Sequence, residues 1–295
     1  MPQFTPTLFR QMSGESWSDI PRHGDGPKHV CFRHVMHPYF DRAVPFNNTA
    51  QEITFETIRI AAAAAPYIAA RTVCVTLEEE AHIVPPDFLA VPALDRFVYE
   101  VGQFAHLRPL PLLFDGLDHG LAAPIAPAGG EEYVVFTNSD IHLMPHFYRS
   151  IAKLIADGYD VITTNRRVLP HYAGGIDDLP LMFADYGKDH VGYDCFVFPA
   201  RLYADFVKSD ACVGAAAVMR SLLFNLAALA ERFLMLTTAH LTFHIGDDSV
   251  WTDGKYADYR AFNVEQAERV AAGFAAQPVR RARLDAYRQA SGEQG

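Results

Sequence analysis

The chain has few cysteines, and its first residues do not have the pattern of a secretory signal. Each of these two features excludes some classes of protein. The 295 residues include only four cysteines and no CxxC pair, which excludes a zinc knuckle and a thioredoxin-like motif. Cys31, Cys74 and Cys195 lie in apolar, strand-like runs, where a thiol usually behaves as a small buried hydrophobe. Residues 1–11 lack a basic stretch followed by an apolar core, so no secretory signal is expected. These features favour a reducing, cytoplasmic setting.

Positive charge and long apolar runs are also lacking. The net charge of −10 and the isoelectric point near 5.7 argue against a protein that binds nucleic acid mainly through its phosphates. The longest apolar stretch, Ile60 to Ala70, is interrupted by Pro66 and is shorter than the roughly 20 residues that span a bilayer. We therefore expect neither a nucleic-acid partner nor a transmembrane segment.

The first half of the chain has the pattern of a βαβ unit. Residues 1–28 carry Pro, Gly, Ser and Asp without periodicity and predict an irregular lead-in. His29–Val35 and Thr72–Leu77 are short apolar runs of strand type. Between them, Asn48 or Thr49 could cap a helix that runs to about Ala65. Phe97–Val101 is a weaker strand candidate.

The strongest element is the apolar run Glu132–Thr137, which stops at Asn138-Ser139-Asp140. A helix from about Pro145 to Ala156 and a strand over Tyr159–Thr163 follow it. This order of strand, polar tip, helix and strand predicts an α/β fold with an open, largely parallel sheet. Such sheets bind ligands at the carboxyl ends of their strands, where Asp140 is expected.

The second half changes character, since residues 164–193 are rich in Gly and Pro and predict a long binding loop. After this loop the sequence predicts a strand over Cys195–Phe198, a helix over Val213–Ala230 and a strand over Phe233–Thr237. Residues 29–251 are expected to form one catalytic domain, and residues 252–295 a helical extension.

Several strand-end residues could carry chemistry. A carboxylate such as Asp140 can hold Mg²⁺ or Mn²⁺, which in turn holds the phosphates of a nucleotide, although Asn, Ser and Asp are also ordinary turn residues. His244 ends another strand-like stretch and could complete a mixed Asp/His site, or be a histidine satisfied by backbone hydrogen bonds. Asp194 follows a glycine-containing loop and could bind a sugar hydroxyl or act as a base, unless it is a plain turn residue. Arg166 and Arg167 could neutralise a diphosphate, or be solvated.

The order of these signals resembles the nucleotide-sugar-binding core of glycosyltransferases with the GT-A fold, of the family 2 type. The run Tyr133-Val-Val-Phe-Thr-Asn-Ser-Asp-Ile141 is similar to the strand that ends in their metal-binding DxD motif. Gly192–Leu202 is similar to their acceptor-side strand, and His244 stands where many members have a metal-binding histidine. The resemblance implies that Asp140 and His244 are metal ligands and that Asn138 is a degenerate first motif position.

Two departures from that pattern bear on the mechanism. Asn replaces the first Asp of the motif, which removes one negative charge from the metal site. The carboxylate pair that supplies the base in inverting members is absent from Ala211–Ala217. The base would then be Asp210, Asp194, Asp247 or Asp248, or the enzyme retains configuration, so the stereochemistry stays open.

The sequence therefore predicts a glycosyltransferase that uses a nucleotide diphosphate sugar, Mn²⁺ or Mg²⁺, and a glycan or small-molecule acceptor. The predicted donor-binding residues are Asn138, Ser139, Asp140, Arg166 and Arg167, and the predicted catalytic residues are Asp194, Asp247 and Asp248. A metal-dependent phosphoester hydrolase and a non-catalytic binding module for nucleotide sugars or glycans remain alternatives.

Overall fold

The computed structural model describes residues 4–9, 16–126, 128–190, 192–246 and 254–292. Its strands are β1 (Thr7–Phe9), β2 (Val30–Met36), β3 (Ala70–Thr76), β4 (Leu89–Pro92), β5 (Glu131–Thr137), β6 (His142–Leu143), β7 (Val161–Thr164), β8 (Arg167–Leu169), β9 (Lys188–Asp189), β10 (Cys195–Pro199), β11 (Phe233–Leu236) and β12 (Thr242–Ile245). Its α-helices are α1 (Pro45–Ala63), α2 (Leu113–Ala122), α3 (Phe147–Ala156), α4 (Leu179–Ala184), α5 (Met219–Leu229), α6 (Ala257–Gly273) and α7 (Pro278–Ser291).

Eight strands form one open sheet in the order β1-β11-β7-β10-β5-β2-β3-β4. All neighbours pair in parallel except β10, which runs antiparallel to both β7 and β5. The α/β class and the open, largely parallel sheet predicted from the sequence are thereby confirmed. The carboxyl ends of the parallel strands meet at one edge, where ligands of such sheets bind.

Strand β5 lies in the interior of this sheet, as its unbroken apolar run predicts. Successive side chains point to opposite faces, so Tyr133 and Val135 enter one core while Val134 and Phe136 enter the other. Helices α1 and α3 cover the first face, and α2, α5, α6 and α7 cover the second. A strand that is buried on both faces needs apolar residues at every position, which accounts for the absence of alternation.

A second sheet of four short strands, in the order β6-β12-β8-β9, lies against α1 and α4. Phe243 and Ile245 of β12 pack into its core together with Leu169 and Met182. His244 stands between them on the strand and therefore faces the other side. This small sheet turns His244 away from the apolar core.

The structure corrects several segment predictions. The N-terminal segment is not irregular throughout, because β1 pairs with β11 with Thr7 opposite Leu234. Phe97–Val101 is not a strand: Val98–Glu100 is a 3₁₀ turn, and Phe97 bridges only to Pro111, which has no N–H to extend a ladder. Residues 164–193 contain β8, β9 and α4, which are too short for periodicity to reveal.

The C-terminal helices α6 and α7 pack against α5 and share its core, so they belong to the main body of the fold. None of the helices in the described ranges has the length and apolar character that crossing a membrane requires.

Candidate active site

Asp140 and His244 meet at the carboxyl edge of β5. Strand β6 begins two residues after Asp140 and pairs antiparallel with β12, with His142 opposite Phe243. Continuing this register places His244 opposite Ile141, next to Asp140. The His244 Nε2 and Asp140 Oδ2 atoms are 3.3 Å apart. The approach predicted from the sequence is thus observed, and strand pairing produces it.

The orientation of the His244 ring suits a ligand role. Its Nδ1 lies 3.1 Å from the Gly246 carbonyl oxygen, which can only accept, so Nδ1 carries a proton. Nε2 is thereby turned towards the Asp140 carboxylate, so a cation bound between the two side chains would replace their direct contact. Burial favours the neutral form of Asp140, but hydrogen bonding and charge from His244, and the charge of Arg166, lower the pKa of Asp140 to about 2. The carboxylate is therefore ionised and keeps 39% of its side chain exposed.

Asn138 and Ser139 form the turn between β5 and Asp140. Ser139 is buried, and the buried Asn138 Oδ1 has no hydrogen-bond partner within the described residues. An unpartnered buried oxygen costs free energy unless a ligand or water satisfies it. This oxygen belongs to a residue two positions before Asp140, in the same turn.

Arg166 and Asp194 form a buried ion pair at the carboxyl end of β7. The Arg166 Nη1 lies 2.8 Å from Asp194 Oδ1, and both side chains are at least nine-tenths buried. The Asp194 backbone N donates to the Thr164 carbonyl oxygen, which fixes the residue at the strand end. The second carboxylate oxygen, Oδ2, has no hydrogen bond from the described residues, and His190 Nε2 stays 3.9 Å away.

Arg167 does not join this pair. It lies on β8, where its guanidinium donates to the carbonyl oxygens of Tyr186 and Gly187 and pairs with Asp189. Its charge also lies over the Tyr186 ring, 4.0 Å from the centroid. These contacts hold the segment 186–189 against β8, a structural role in place of the predicted diphosphate contact.

Two of the other predicted base candidates, Asp247 and Asp248, lie outside the described residues. The remaining one, Asp210, is half-exposed and pairs with Arg96 at 3.5 Å. Asp210 N also donates to Gln266 on α6, so this residue belongs to the α6 side of the fold.

The loop after β2 brings in residues that the sequence analysis missed. Asp41 accepts from the backbone N of Ala43 and Val44 and thereby fixes the turn that precedes α1. The Tyr39 backbone is clamped by the Gln51 amide, which donates to its carbonyl and accepts from its N–H. Burial, then the charges of Asp140 and Asp41, raise the pKa of Tyr39 to about 12.

Arg108 adds a positive charge that acts on the same loop. Its charge acts on both Tyr39 and Asp41. Its backbone N donates to the Tyr259 hydroxyl of α6, which itself donates to the His106 carbonyl oxygen. The signal that could have revealed this loop is its position directly after a parallel strand.

Asp140 and His244 are both side-chain types that can bind a divalent cation. Within the described part of the chain, no group of three or more His, Cys, Asp or Glu side chains could hold a metal ion. Mg²⁺ is commonly bound by one or two protein carboxylates, with phosphate oxygens and water in the remaining positions. A two-ligand site therefore suits a cation that arrives with a phosphate-bearing substrate.

No family model matches the sequence, and no curated protein is significantly similar to it. Solved structures are similar in fold. Glucosyl-3-phosphoglycerate synthase of Mycobacterium tuberculosis, in complex with phosphoglyceric acid, is 14% identical, with a TM-score of 0.46, over 90% of this chain and 88% of that one. A Pyrobaculum calidifontis mannosyltransferase in complex with GDP-Man and Mn²⁺ is 13% identical, with a TM-score of 0.42, over 95% and 79%.

TarS of S. aureus in complex with UDP-GlcNAc is 12% identical, with a TM-score of 0.42 over 74% of this chain. This chain spans 59% of that structure. All these likenesses concern the arrangement of the fold at low identity, so function must be argued from the side chains of this chain.

Proposed function

We propose that this chain is a glycosyltransferase that moves a sugar from a nucleoside diphosphate sugar to a carbohydrate-like hydroxyl. The observation that carries the proposal is the Asp140–His244 pair at the carboxyl edge of the sheet, with Arg166 and Asp194 beside it. One site then combines an anionic metal ligand, a fixed guanidinium and a carboxylate with one oxygen left for a substrate.

Asp140 and His244 would hold Mn²⁺ or Mg²⁺, which, when bound, neutralises the diphosphate as it departs. Arg166 adds a fixed positive charge whose field reaches Asp140. Because this guanidinium is buried and held by Asp194, it requires no reorganisation as charge develops on the leaving group.

Asp194 faces the acceptor in this proposal. Its Oδ1 is engaged by Arg166, while its Oδ2 is buried and has no hydrogen bond from the described residues. An acceptor hydroxyl donating to Oδ2 would satisfy this atom and be oriented for attack, and Asp194 could take the hydroxyl proton. Asp247 and Asp248 remain further candidates for the base.

The donor's nucleoside would lie against the loop after β2. Tyr39 is 42% exposed and its backbone is fixed by Gln51, so an aromatic surface is available for a nucleobase. Arg108, whose charge acts on Tyr39 and Asp41, could contact the phosphates.

The two alternatives differ in what they need. A phosphoester hydrolase with two metals needs a larger ligand set than the described residues bring together. A non-catalytic module that binds nucleotide sugars needs only the donor side, so turnover distinguishes it from the enzyme.

A panel of UDP-, GDP-, CMP- and dTDP-sugars tests the proposal by thermal shift, with Mn²⁺ and with EDTA as the matched control. We expect stabilisation by one nucleotide class that is larger with Mn²⁺, followed by donor consumption when saccharide acceptors are added. No shift with any donor, or phosphate release from simple esters, would contradict it. Binding without turnover would identify the non-catalytic module.

A further inference from the structure

A cleft of about 570 Å³ lies outside the candidate active site, along helix α3. One wall is a single face of α3 and its preceding residue: His146, Arg149, Ser150 and Lys153, spaced three or four apart. The other wall comes from residues 17–22 and 67–68. The helix has 10 residues, so the cleft runs for about 15 Å beside it.

The cleft is positively charged in a chain that is negative overall. Arg22 and Arg149 are exposed on its two walls, and neither has an ion pair or hydrogen bond within the described residues. Lys153 is paired with Asp157, the one acidic residue of the lining, at 3.0 Å. Two unneutralised guanidinium groups around a concave surface attract anions, even though the chain carries a net charge of −10.

Aromatic surface lies beside this charge. The Tyr67 side chain is 71% exposed, and Trp17 is half-buried on the same wall. An exposed aromatic beside a concave, partly apolar lining is typical of a ligand site. The C–H faces of sugar rings pack on aromatic rings, while arginines bind carboxylate or phosphate groups.

The upper end of the cleft is near the candidate active site. His146 follows Asp140 by six residues, so their Cα atoms are at most about 20 Å apart. A saccharide chain that extends from Asp140 past His146 would enter the cleft and would need about 15 Å more, the length of α3, to reach Arg22, which precedes residues that bond to the Asp157 carbonyl oxygen.

We propose that this cleft binds the distal part of an acceptor saccharide chain that carries carboxylate or phosphate groups. The inference rests on the proposed glycosyltransferase function and extends it to an anionic, extended acceptor. The cleft would hold such an acceptor in place while its end is modified.

Calorimetric titration tests the inference with tetragalacturonate, a phosphorylated oligomannoside and neutral cellotetraose. We expect at least one anionic oligosaccharide to bind at least tenfold more tightly than cellotetraose. The double variant Arg22→Gln/Arg149→Gln and the single variant Tyr67→Ala should each weaken that binding by tenfold or more. Arg260→Gln is the matched control, because Arg260 is exposed on α6, a helix that covers the opposite face of the sheet.

Absence of anionic oligosaccharide binding, or an equal loss in Arg260→Gln, would overturn the inference. Binding to phosphatidylglycerol vesicles that requires Arg22 and Arg149, without oligosaccharide binding, would assign the cleft to a membrane surface instead. Nucleotide-sugar binding is measured on the same variants and should not change. If the unmodified protein binds an anionic oligosaccharide but no nucleotide sugar, the proposed function is contradicted, whereas the assignment of the cleft to an anionic saccharide stands.

Discussion

His244 Nε2 lies 3.3 Å from Asp140 Oδ2, although the two residues are 104 positions apart in sequence. The pairing of β12 with β6 sets this approach, and the hydrogen bond from His244 Nδ1 to Gly246 sets the ring orientation. The candidate cation site therefore depends on the registry of the small sheet as well as on the end of β5.

Removing either residue of the pair should weaken cation-dependent donor binding. For Asp140→Asn and His244→Gln we expect the Mn²⁺-dependent part of donor affinity to fall by at least about tenfold. Even the loss of a residue that only orients a metal ligand typically lowers metal affinity or activity by about 10–100-fold. Calorimetric titration with and without Mn²⁺ measures it. The control is His240→Gln, a half-buried histidine whose ring lies against Tyr186. Full Mn²⁺ dependence in His244→Gln would remove this residue from the site.

Asp194→Asn should separate the acceptor side from the donor side. We expect turnover to fall by roughly 10²–10⁴-fold, the usual contribution of a positioned acid or base, with donor affinity nearly unchanged. Because a broken buried ion pair can cost about 3–5 kcal/mol of stability, thermal unfolding must first establish that the variant is folded at the assay temperature.

Asp189→Asn is the matched control for Asp194→Asn. Asp189 also pairs with a buried arginine, Arg167, but it lies on β9 of the small sheet. Its turnover should stay near that of the unmodified protein. Equal losses in the two variants would mean that the effect arises from ion-pair disruption and not from chemistry.

The sequence predicted the interior strand β5 and the position of Asp140 at the carboxyl edge of the sheet, because both follow from general rules of sheet structure. An apolar run without alternation requires cover on both faces, and parallel strands end at one edge. It could not separate Arg166 from Arg167, since adjacent residues of an extended segment point to opposite sides and nothing local says which side holds the site. It also misplaced the start of α1, because Asn48 and Thr49 are typical capping residues, yet the helix begins at Pro45 without a side-chain cap.

A buried histidine under the site should make the protein sensitive to acid. His34 on β2 is fully buried between the Tyr148 hydroxyl and Thr137 Oγ1, at 3.0 and 2.9 Å. Burial lowers the pKa of His34 to about 3, whereas the unfolded chain has the ordinary value of 6.5. The unfolded state therefore binds the proton first, so stability is complete above about pH 6.5 and is lost as pH falls towards 3.

This one residue contributes a slope of up to about 1.4 kcal/mol per pH unit in that window. Urea unfolding from pH 8 to pH 4 measures it. His34→Gln should be less stable at pH 8 but lose stability less steeply below pH 6.5. His29→Gln, at an exposed position, should keep the original slope. An unchanged slope in His34→Gln would show that other groups govern the acid response.

The segment before α5 holds local strain that a glycine should relieve. Ala217 has a φ of 65°, the one positive value at a non-glycine residue within the described ranges. This conformation costs an L-residue about 1–2 kcal/mol. Glycine removes that cost, but its larger loss of backbone entropy on folding offsets about 0.5–1 kcal/mol of the gain. Ala217→Gly should therefore raise the free energy of unfolding by up to about 1 kcal/mol, as measured by urea denaturation.

The matched control is its neighbour Ala216, which is also half-buried and whose φ is not positive, so Ala216→Gly should lower stability by roughly 0.5–1 kcal/mol. Backbone contacts survive in both variants, because Asn263 donates to the Ala216 carbonyl oxygen and Arg220 N to that of Ala217. Opposite signs for two adjacent alanines would locate the strain at Ala217, whereas equal destabilisation would show that the left-handed backbone carries no recoverable strain.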